Sequence, residues 1–433
     1  MALGGGKFTT MNKVLPGTYI NVTAKPSEAF GLESGIVAVP FCLNWMADAA
    51  IIEITAEEWL GECWRKLGYE NDAAALRPIR EIFTAGATKV IIYNTNNGTK
   101  ASNTYATAKY KGTRGNDIKI KIETNVDDNT KLDVSTLVDN MVYDVQTVAA
   151  ASGLVANDWV TFDTAAELSA TVTAALSGGA NGTITGTQHT AALAALEQKY
   201  FNVLVCDSTD SSTVNLYTSY VERMRDYMGK DFQLVAYNKA ADYEGAVNIG
   251  TTVSDAGAAA SSLVYWVGGK SAACRLGKSL TNVPYDGEYT PVCTETQSQL
   301  ETAINDGKFM FHLVGGEPRV LMDINSLTTT TEDKSSLMKK NEIIRLTDYL
   351  NNMIADLFNT RYIGKVINSD NGRAHLKQDI ASIQDDLMQA GIIEYSGSDL
   401  IVAQGKDKGD VVITDTITVN AAMVRLYMTI ALN

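Results

Sequence analysis

Two short runs carry the residue types of a phosphate-binding loop. Gly277-Lys278-Ser279 and Gly268-Gly269-Lys270-Ser271 both end in a lysine that could reach phosphates and a hydroxyl that could reach Mg2+. Each lacks the opening glycine, because Ala272 stands five positions before Gly277 and Val264 five before Gly269. Without it the backbone has no room to wrap the phosphates. The 3 histidines, His189, His312 and His375, are too scattered to suggest a metal pair. His375 and Asp379 share a helix face at i, i+4, the ordinary spacing of an exposed polar pair. The 5 cysteines, Cys42, Cys63, Cys206, Cys274 and Cys293, contain no CxxC and suggest neither a disulfide framework nor a zinc site. GxSxG, HExxH and EF-hand patterns are absent, and Glu57 and Glu58 stand where a helix start favours negative charge. The residues therefore point to a structural or binding role, with no cofactor and no metal. The competing reading is an α/β nucleotide-binding protein or enzyme using Gly277-Lys278-Ser279.

Composition narrows the partners. The chain has 433 residues, enough for two or three domains, and 45% of them are hydrophobic. A net charge of -14 argues against nucleic acid and against an anionic membrane surface. The sequence shows no signal peptide and no apolar run of membrane-spanning length, so a soluble protein made in the cytoplasm is expected. A surface adhesin or layer protein would want an export signal.

The elements that must position any site follow an α/β pattern with an interruption. Residues 34–42 read as a buried strand. Residues 55–67 read as a helix with a Thr55/Glu58 capping box and an apolar face of Trp59, Leu60, Cys63, Trp64 and Leu67. A helix over 74–84 and a strand over 89–93 follow. From 97 to 186 the chain turns rich in Thr, Asn, Asp, Ala and Gly, with alternating runs at 118–123 and 141–148 that predict a β-rich insert. The α/β alternation then resumes with a helix around Leu193, a strand at 202–206, a helix over 214–228 and a strand at 232–237. Beyond it, helices are expected within 255–273, at 295–305, over 335–358 and over 370–390. A hairpin is expected from 309–313 and 319–324, and strands at 400–404 and 411–419.

The last stretch raises a question of its own. Val424, Leu426, Met428, Ile430 and Leu432 alternate with Arg425, Tyr427, Thr429 and Ala431, which is strand periodicity. Such an apolar strand needs a partner, because an open ladder recruits neighbours. Either its own domain supplies the sheet, or another subunit does. Thr18, Tyr19, Ile20 and Val22, entered through Pro16-Gly17 after a Gly-rich leader, pose the same question.

Four stretches spread along the chain resemble the tail sheath proteins of contractile phages, in the branch found in Gram-positive prophages and phage-tail-like bacteriocins. They are NKVLPGTYIN at 12–21, ASNTYATAKYKGTRGNDIKI at 101–120, NSDNGRAHL at 368–376 and AAMVRLYMTI at 421–430. The resemblance implies a multi-domain sheath-type fold: an N-terminal arm (1–24), a split α/β core (25–96 and 187–290), an inserted β-rich domain (97–186) and an α+β C-terminal domain with a terminal arm (291–433). It also implies a subunit, not an enzyme, that polymerises in six-fold helical layers around a tail tube and contracts to drive the tube through a bacterial envelope. Tube, baseplate and tail terminator proteins would be its partners, with no nucleic acid and no membrane among them. The protein would sit in a virion tail or phage-tail-like particle assembled in the host cytoplasm. In related sheaths both arms pair with neighbouring subunits, which would make Thr18, Tyr19, Ile20, Val22, Val424, Leu426, Met428 and Ile430 interface residues. Tube contacts in related sheaths come from the C-terminal domain, which makes Lys339, Lys340, Arg345, Arg373 and Lys377 candidates.

Overall fold

The computed structural model describes residues 34–431. Its centre is a seven-stranded sheet in the order Lys308–Phe309, Ala246–Ile249, Gln233–Tyr237, Val203–Cys206, Ile36–Phe41, Lys89–Asn94, Ile51–Thr55. All neighbours are parallel except the antiparallel edge strand Ile51–Thr55. Runs such as IVAV, VLVC and AVNI are buried on both faces, as a parallel sheet covered by helices requires. Val37, Val39, Val203 and Val205 face one apolar layer built on the helices Arg77–Thr84 and Leu263–Ala273. Ile36, Ala38, Leu204 and Cys206 face the other, built on Gly186–Leu196 and Ser211–Asp226. The sheet is thus assembled from chain on both sides of the inserted region.

The insert holds a four-stranded antiparallel sheet, Met141–Val148, Leu132–Val138, Ile118–Thr124 and Thr171–Ala175, and a separate pair, Ala106–Ala108 with Val160–Phe162. In IKIKIE, Ile118, Ile120 and Ile122 are fully buried beside Trp159, Val160 and Leu176, while the lysines face outward. Asp139 and Asn140 both have positive φ (52° and 67°), which lets a two-residue turn join adjacent strands.

Several elements depart from the sequence pattern, each for a visible reason. The helix expected over 55–67 does start with the Thr55/Glu58 capping box, but it breaks at Glu62 into Ala56–Gly61 and Cys63–Leu67. Leu60 falls outside the apolar face and is 77% exposed. Residues 255–262 are not helical; Gly257 adopts φ +79°, and the helix begins only at Leu263. The expected hairpin is shorter, Phe311–Val314 with Glu317–Val320, because Gly315-Gly316 alone makes the turn and Phe309 belongs to the central sheet. The helix expected from 335 is a 3-10 turn, Ser336–Lys339, then a helix Asn341–Leu357 of 17 residues. Lys340 between them is extended and bridges to Ile324, which ends the first turn. Asp370–Gln389, with 20 residues, is the longer of the two C-terminal helices. Residues 411–419 divide into Val411–Thr414, paired with Ile401–Gln404, and Ile417–Val419, paired with Ile393–Tyr395. The strands Ile51–Thr55, Ala246–Ile249 and Ile393–Tyr395 are additions to the sequence reading.

Candidate assembly surfaces

The phosphate-loop scraps serve packing. Gly268 and Gly269 lie inside the helix Leu263–Ala273, where a Cβ on Gly268 would sit 2.4 Å from Val205 Cγ2 and one on Gly269 2.4 Å from the Ile82 carbonyl oxygen. Only hydrogen lets the helix approach both the sheet and its neighbour. Gly277-Lys278-Ser279 follows that helix and leads into no other, whereas a phosphate loop runs from a strand into a helix N-terminus. The nucleotide-binding reading therefore has no support. His189 is half-buried and shares a 2.8 Å hydrogen bond with the Tyr217 hydroxyl through Nδ1, and burial lowers its pKa. His375 is exposed, and Asp379 accepts from the Tyr362 hydroxyl at 2.8 Å. Among the described residues no group of His, Cys, Asp or Glu is placed to hold a metal, and no helix is long and apolar enough to cross a membrane.

Two of the quoted motifs, at 101–120 and 368–376, turn out to be joints. In GTRGND, Gly112 has φ +116° and its Cβ position lies 2.0 Å from the Asn44 carbonyl oxygen, so insert and core meet backbone to backbone. Arg114 is buried, donates to the Gly68 carbonyl at 2.8 Å and forms a two-pronged pair with Asp139 at 2.8 and 2.7 Å. Asn116 exchanges hydrogen bonds with the Gly179 backbone at 2.8 and 2.9 Å, closing the far end of the insert. In NSDNGRAHL, Ser369 caps the helix Asp370–Gln389 by accepting from Gly372 N–H. Asn368 donates to the carbonyls of Lys408 and Asp410 at 3.0 and 2.7 Å. This ties the helix start to the loop before Val411–Thr414.

The C-terminal helices build a frame. Ile343, Leu346, Leu350, Met353 and Leu357 are buried along one face, while Ile354 is half-buried. Two internal ion pairs anchor this helix. Arg225 meets Asp348 through two bonds of 2.8 and 2.7 Å, and their side chains are only 8% and 12% exposed. Burial pushes the Asp348 carboxyl up to about 6 against the opposing pull of Arg225. Arg345 Nη2 meets Asp323 at 2.6 Å and the Lys278 carbonyl at 3.0 Å. Asp323 is fully buried and also accepts from Leu280 N–H and Asn341 Nδ2, both at 2.9 Å.

The basic candidates differ in their surroundings. Arg345, with a side chain 9% exposed and held by Asp323, is a structural cation and presents no free face to a tube. Lys339 donates to the Thr328 carbonyl at 2.7 Å, and Lys340 lies 3.8 Å from Glu342. Arg373 bonds Asn368 Oδ1 at 2.8 Å and pairs with Asp370. Lys377, half-buried, makes no ion pair among the described residues.

The last stretch answers half of its question. Asn420 N–H donates to the Ile392 carbonyl at 2.9 Å and Ala422 N–H to Glu342 at 3.3 Å; beyond that the chain enters no ladder among the described residues. Leu426, Met428 and Ile430 are 86%, 70% and 70% exposed, and Val424 is 38% exposed. Of the two alternatives, pairing within its own domain's sheet is not seen among the described residues. Nearby, the ladders Ile393–Tyr395/Ile417–Val419 and Ile401–Gln404/Val411–Thr414 have two strands each, with Ile401 and Val412 exposed. Thr18, Tyr19, Ile20 and Val22 lie outside the described residues.

A split parallel sheet with an inserted sandwich and a helical C-terminal frame defines the class, and the comparisons identify it. Residues 96–181 match the phage tail sheath protein beta-sandwich domain, 182–326 the phage tail sheath protein central domain and 333–433 the phage tail sheath C-terminal domain. The chain belongs to the phage tail sheath family, and it is a structural subunit of a contractile sheath. It is 31% identical to the Phage-like element PBSX protein XkdK of Bacillus subtilis, over 100% of both chains. The crystal structure of the sheath tail protein from Desulfitobacterium hafniense is 34% identical, with a TM-score of 0.81 over 93% of this chain and 100% of that one. The anti-feeding prophage helical sheath in its contracted state shares the fold at 12% identity, with a TM-score of 0.53 over 96% of this chain and 98% of that one.

Proposed function

We propose that this subunit assembles by donating its C-terminal run to a neighbouring subunit, within a six-fold helical sheath around a tail tube. The observation that carries the proposal is the alternating apolar run Val424, Leu426, Met428, Ile430, which is exposed and enters no ladder among the described residues. Two-stranded ladders with open edges in the same region offer the complementary surface. Thr18, Tyr19, Ile20 and Val22 are proposed to pair likewise.

The energetics suit assembly on demand. Roughly five ladder hydrogen bonds at about 1 kcal/mol each, with two or three apolar side chains at about 1.5 to 3 kcal/mol each, contribute on the order of 10 kcal/mol per arm. Ordering the arm costs about 1 to 2 kcal/mol per residue, which offsets most of that. A single contact is then weak, and a lattice closes cooperatively through effective concentration. Such head-to-tail contacts propagate as helices.

On this reading the chain performs no catalysis, and the domains divide at 24, 96, 186 and 290. Lys377, which makes no ion pair among the described residues, is the first basic group proposed to meet an acidic tube, with Lys339, Lys340 and Arg373 as further candidates; the burial of Arg345 speaks against it. Baseplate and terminator proteins bound the sheath, and assembly takes place in the host cytoplasm. Electron microscopy of the purified full-length chain, alone and with its tube protein, tests this. Tubes or stacked rings of six-fold symmetry are expected; a protein that stays monomeric at high concentration and beside the tube would contradict it.

A further inference from the structure

Between the core helix Cys63–Leu67 and the insert lies a cavity of about 180 Å3. Its walls are aromatic: Trp64 and Tyr69 come from the core, and Tyr143 and Trp159 from the insert. The rings are tilted against one another, Trp64 to Tyr143 at 5.8 Å between centroids and 50° between planes, and Tyr143 to Trp159 at 5.4 Å and 58°. At the rim stand Glu70 and Asp72, both exposed and neither ion-paired among the described residues.

Arg114 shows what such walls attract. Its guanidinium lies 4.3 Å from the Tyr69 ring centroid and 5.6 Å from that of Trp159, at the cavity floor. Asp139 and Asp117 neutralise it at 2.7 and 3.1 Å. From outside, the Arg65 guanidinium stacks 5.2 Å from the Trp64 ring. Glu70 makes no ion pair among the described residues, and Asp72 acts on Arg80 only at a distance, so both carboxylates stand available beside ring faces whose quadrupoles present negative potential. An anion is repelled by both features, and a neutral apolar group leaves the carboxylates without a role.

We propose that this cavity receives a protonated lysine side chain presented by a protein partner, its ammonium held between the aromatic walls and the Glu70 and Asp72 carboxylates. A straight alkyl chain ending in a compact cation suits a cavity of this volume.

The test titrates the full-length protein with Nα-acetyl-lysine methylamide, following tryptophan fluorescence. Nα-acetyl-norleucine methylamide serves as the neutral isostere and cellobiose as a sugar that also stacks on aromatic faces. A saturable response to the lysine probe, weakened by salt and absent with norleucine, is expected. In Glu70→Gln/Asp72→Asn, and separately in Trp64→Leu, binding should weaken by about fivefold or more. An unchanged thermal transition shows that these variants remain folded. Equal binding of norleucine would make the slot merely apolar, preference for cellobiose would make it a sugar site, and no saturable response to the lysine probe would remove the site; each overturns the proposal.

Discussion

Removing the carboxylate of Asp348 should destabilise the protein more than any surface ion pair could. Arg225 lies on the helix Ser211–Asp226 of the α/β core, and Asp348 on Asn341–Leu357 of the C-terminal frame, so the pair joins two parts distant in sequence. Both side chains are about nine-tenths buried, and Arg225 Nη1 has one other acceptor, the Phe232 carbonyl at 2.8 Å. In Asp348→Ala the guanidinium stays buried with that carbonyl alone. Leaving a buried charge uncompensated costs about 3–5 kcal/mol, whereas an exposed pair contributes about 0–1 kcal/mol. Replacing both partners, as Arg225→Met/Asp348→Leu, removes the stranded charge along with the pair, and most of the loss should be recovered. Urea unfolding monitored by fluorescence and circular dichroism reads the midpoints and m-values of the three proteins. A loss below about 1 kcal/mol in Asp348→Ala would refute the reasoning, since the pair would then behave as if solvated. A double variant as damaged as the single one would show that shape, not charge, holds the joint.

The same carboxyl sets a pH dependence. Because burial raises its folded value to about 6 from the ordinary 3.8, the folded state holds a proton that the unfolded state has released between those values. The stability contributed by that proton is fully present below about pH 4 and is lost as pH rises through about 6. Asp348→Asn should lack this slope, so the wild type should lose melting temperature relative to the variant as pH rises from about 4 to 6, and the two should run in parallel above that; parallel profiles between about pH 4 and 6 would contradict the assignment. Gly112→Ala puts a methyl 2.0 Å from the Asn44 carbonyl oxygen at φ +116° and should cost roughly 2 kcal/mol or more in thermal or urea unfolding. Thr55→Ala removes the cap whose hydroxyl accepts from Glu58 N–H at 3.3 Å, with an expected loss of about 1 kcal/mol in the same assay.

Most of the core was legible because its strands are continuous apolar runs. Residues 36–41, 89–94, 203–206 and 233–237 are buried on both faces, and neither period nor register was needed to find them. Ala246–Ile249 escaped notice because AVNI is short and contains Asn248, which donates nothing to the pattern but accepts from Lys239 N–H at 2.7 Å. Ile393–Tyr395 is shorter still. Leu60 satisfied helical spacing, yet the break at Glu62 turned it to solvent, a shift that periodicity cannot register. Arg345 looked like a surface cation because its partner Asp323 lies 22 positions away and in no local motif. The lysine-sized cavity was invisible for the same reason: Trp64, Tyr69, Tyr143 and Trp159 come from two separate parts of the chain. The terminal run is apolar and alternating in sequence, yet among the described residues it forms no strand and Leu426, Met428 and Ile430 stand exposed, which no local pattern could register.

Negative-stain electron microscopy of the full-length chain beside one lacking residues 422–433 tests the central claim most directly, with circular dichroism confirming that both are folded. The account predicts tubes or rings from the full-length chain and a folded, unassembled subunit from the shortened one. A shortened chain that assembles equally well would contradict it.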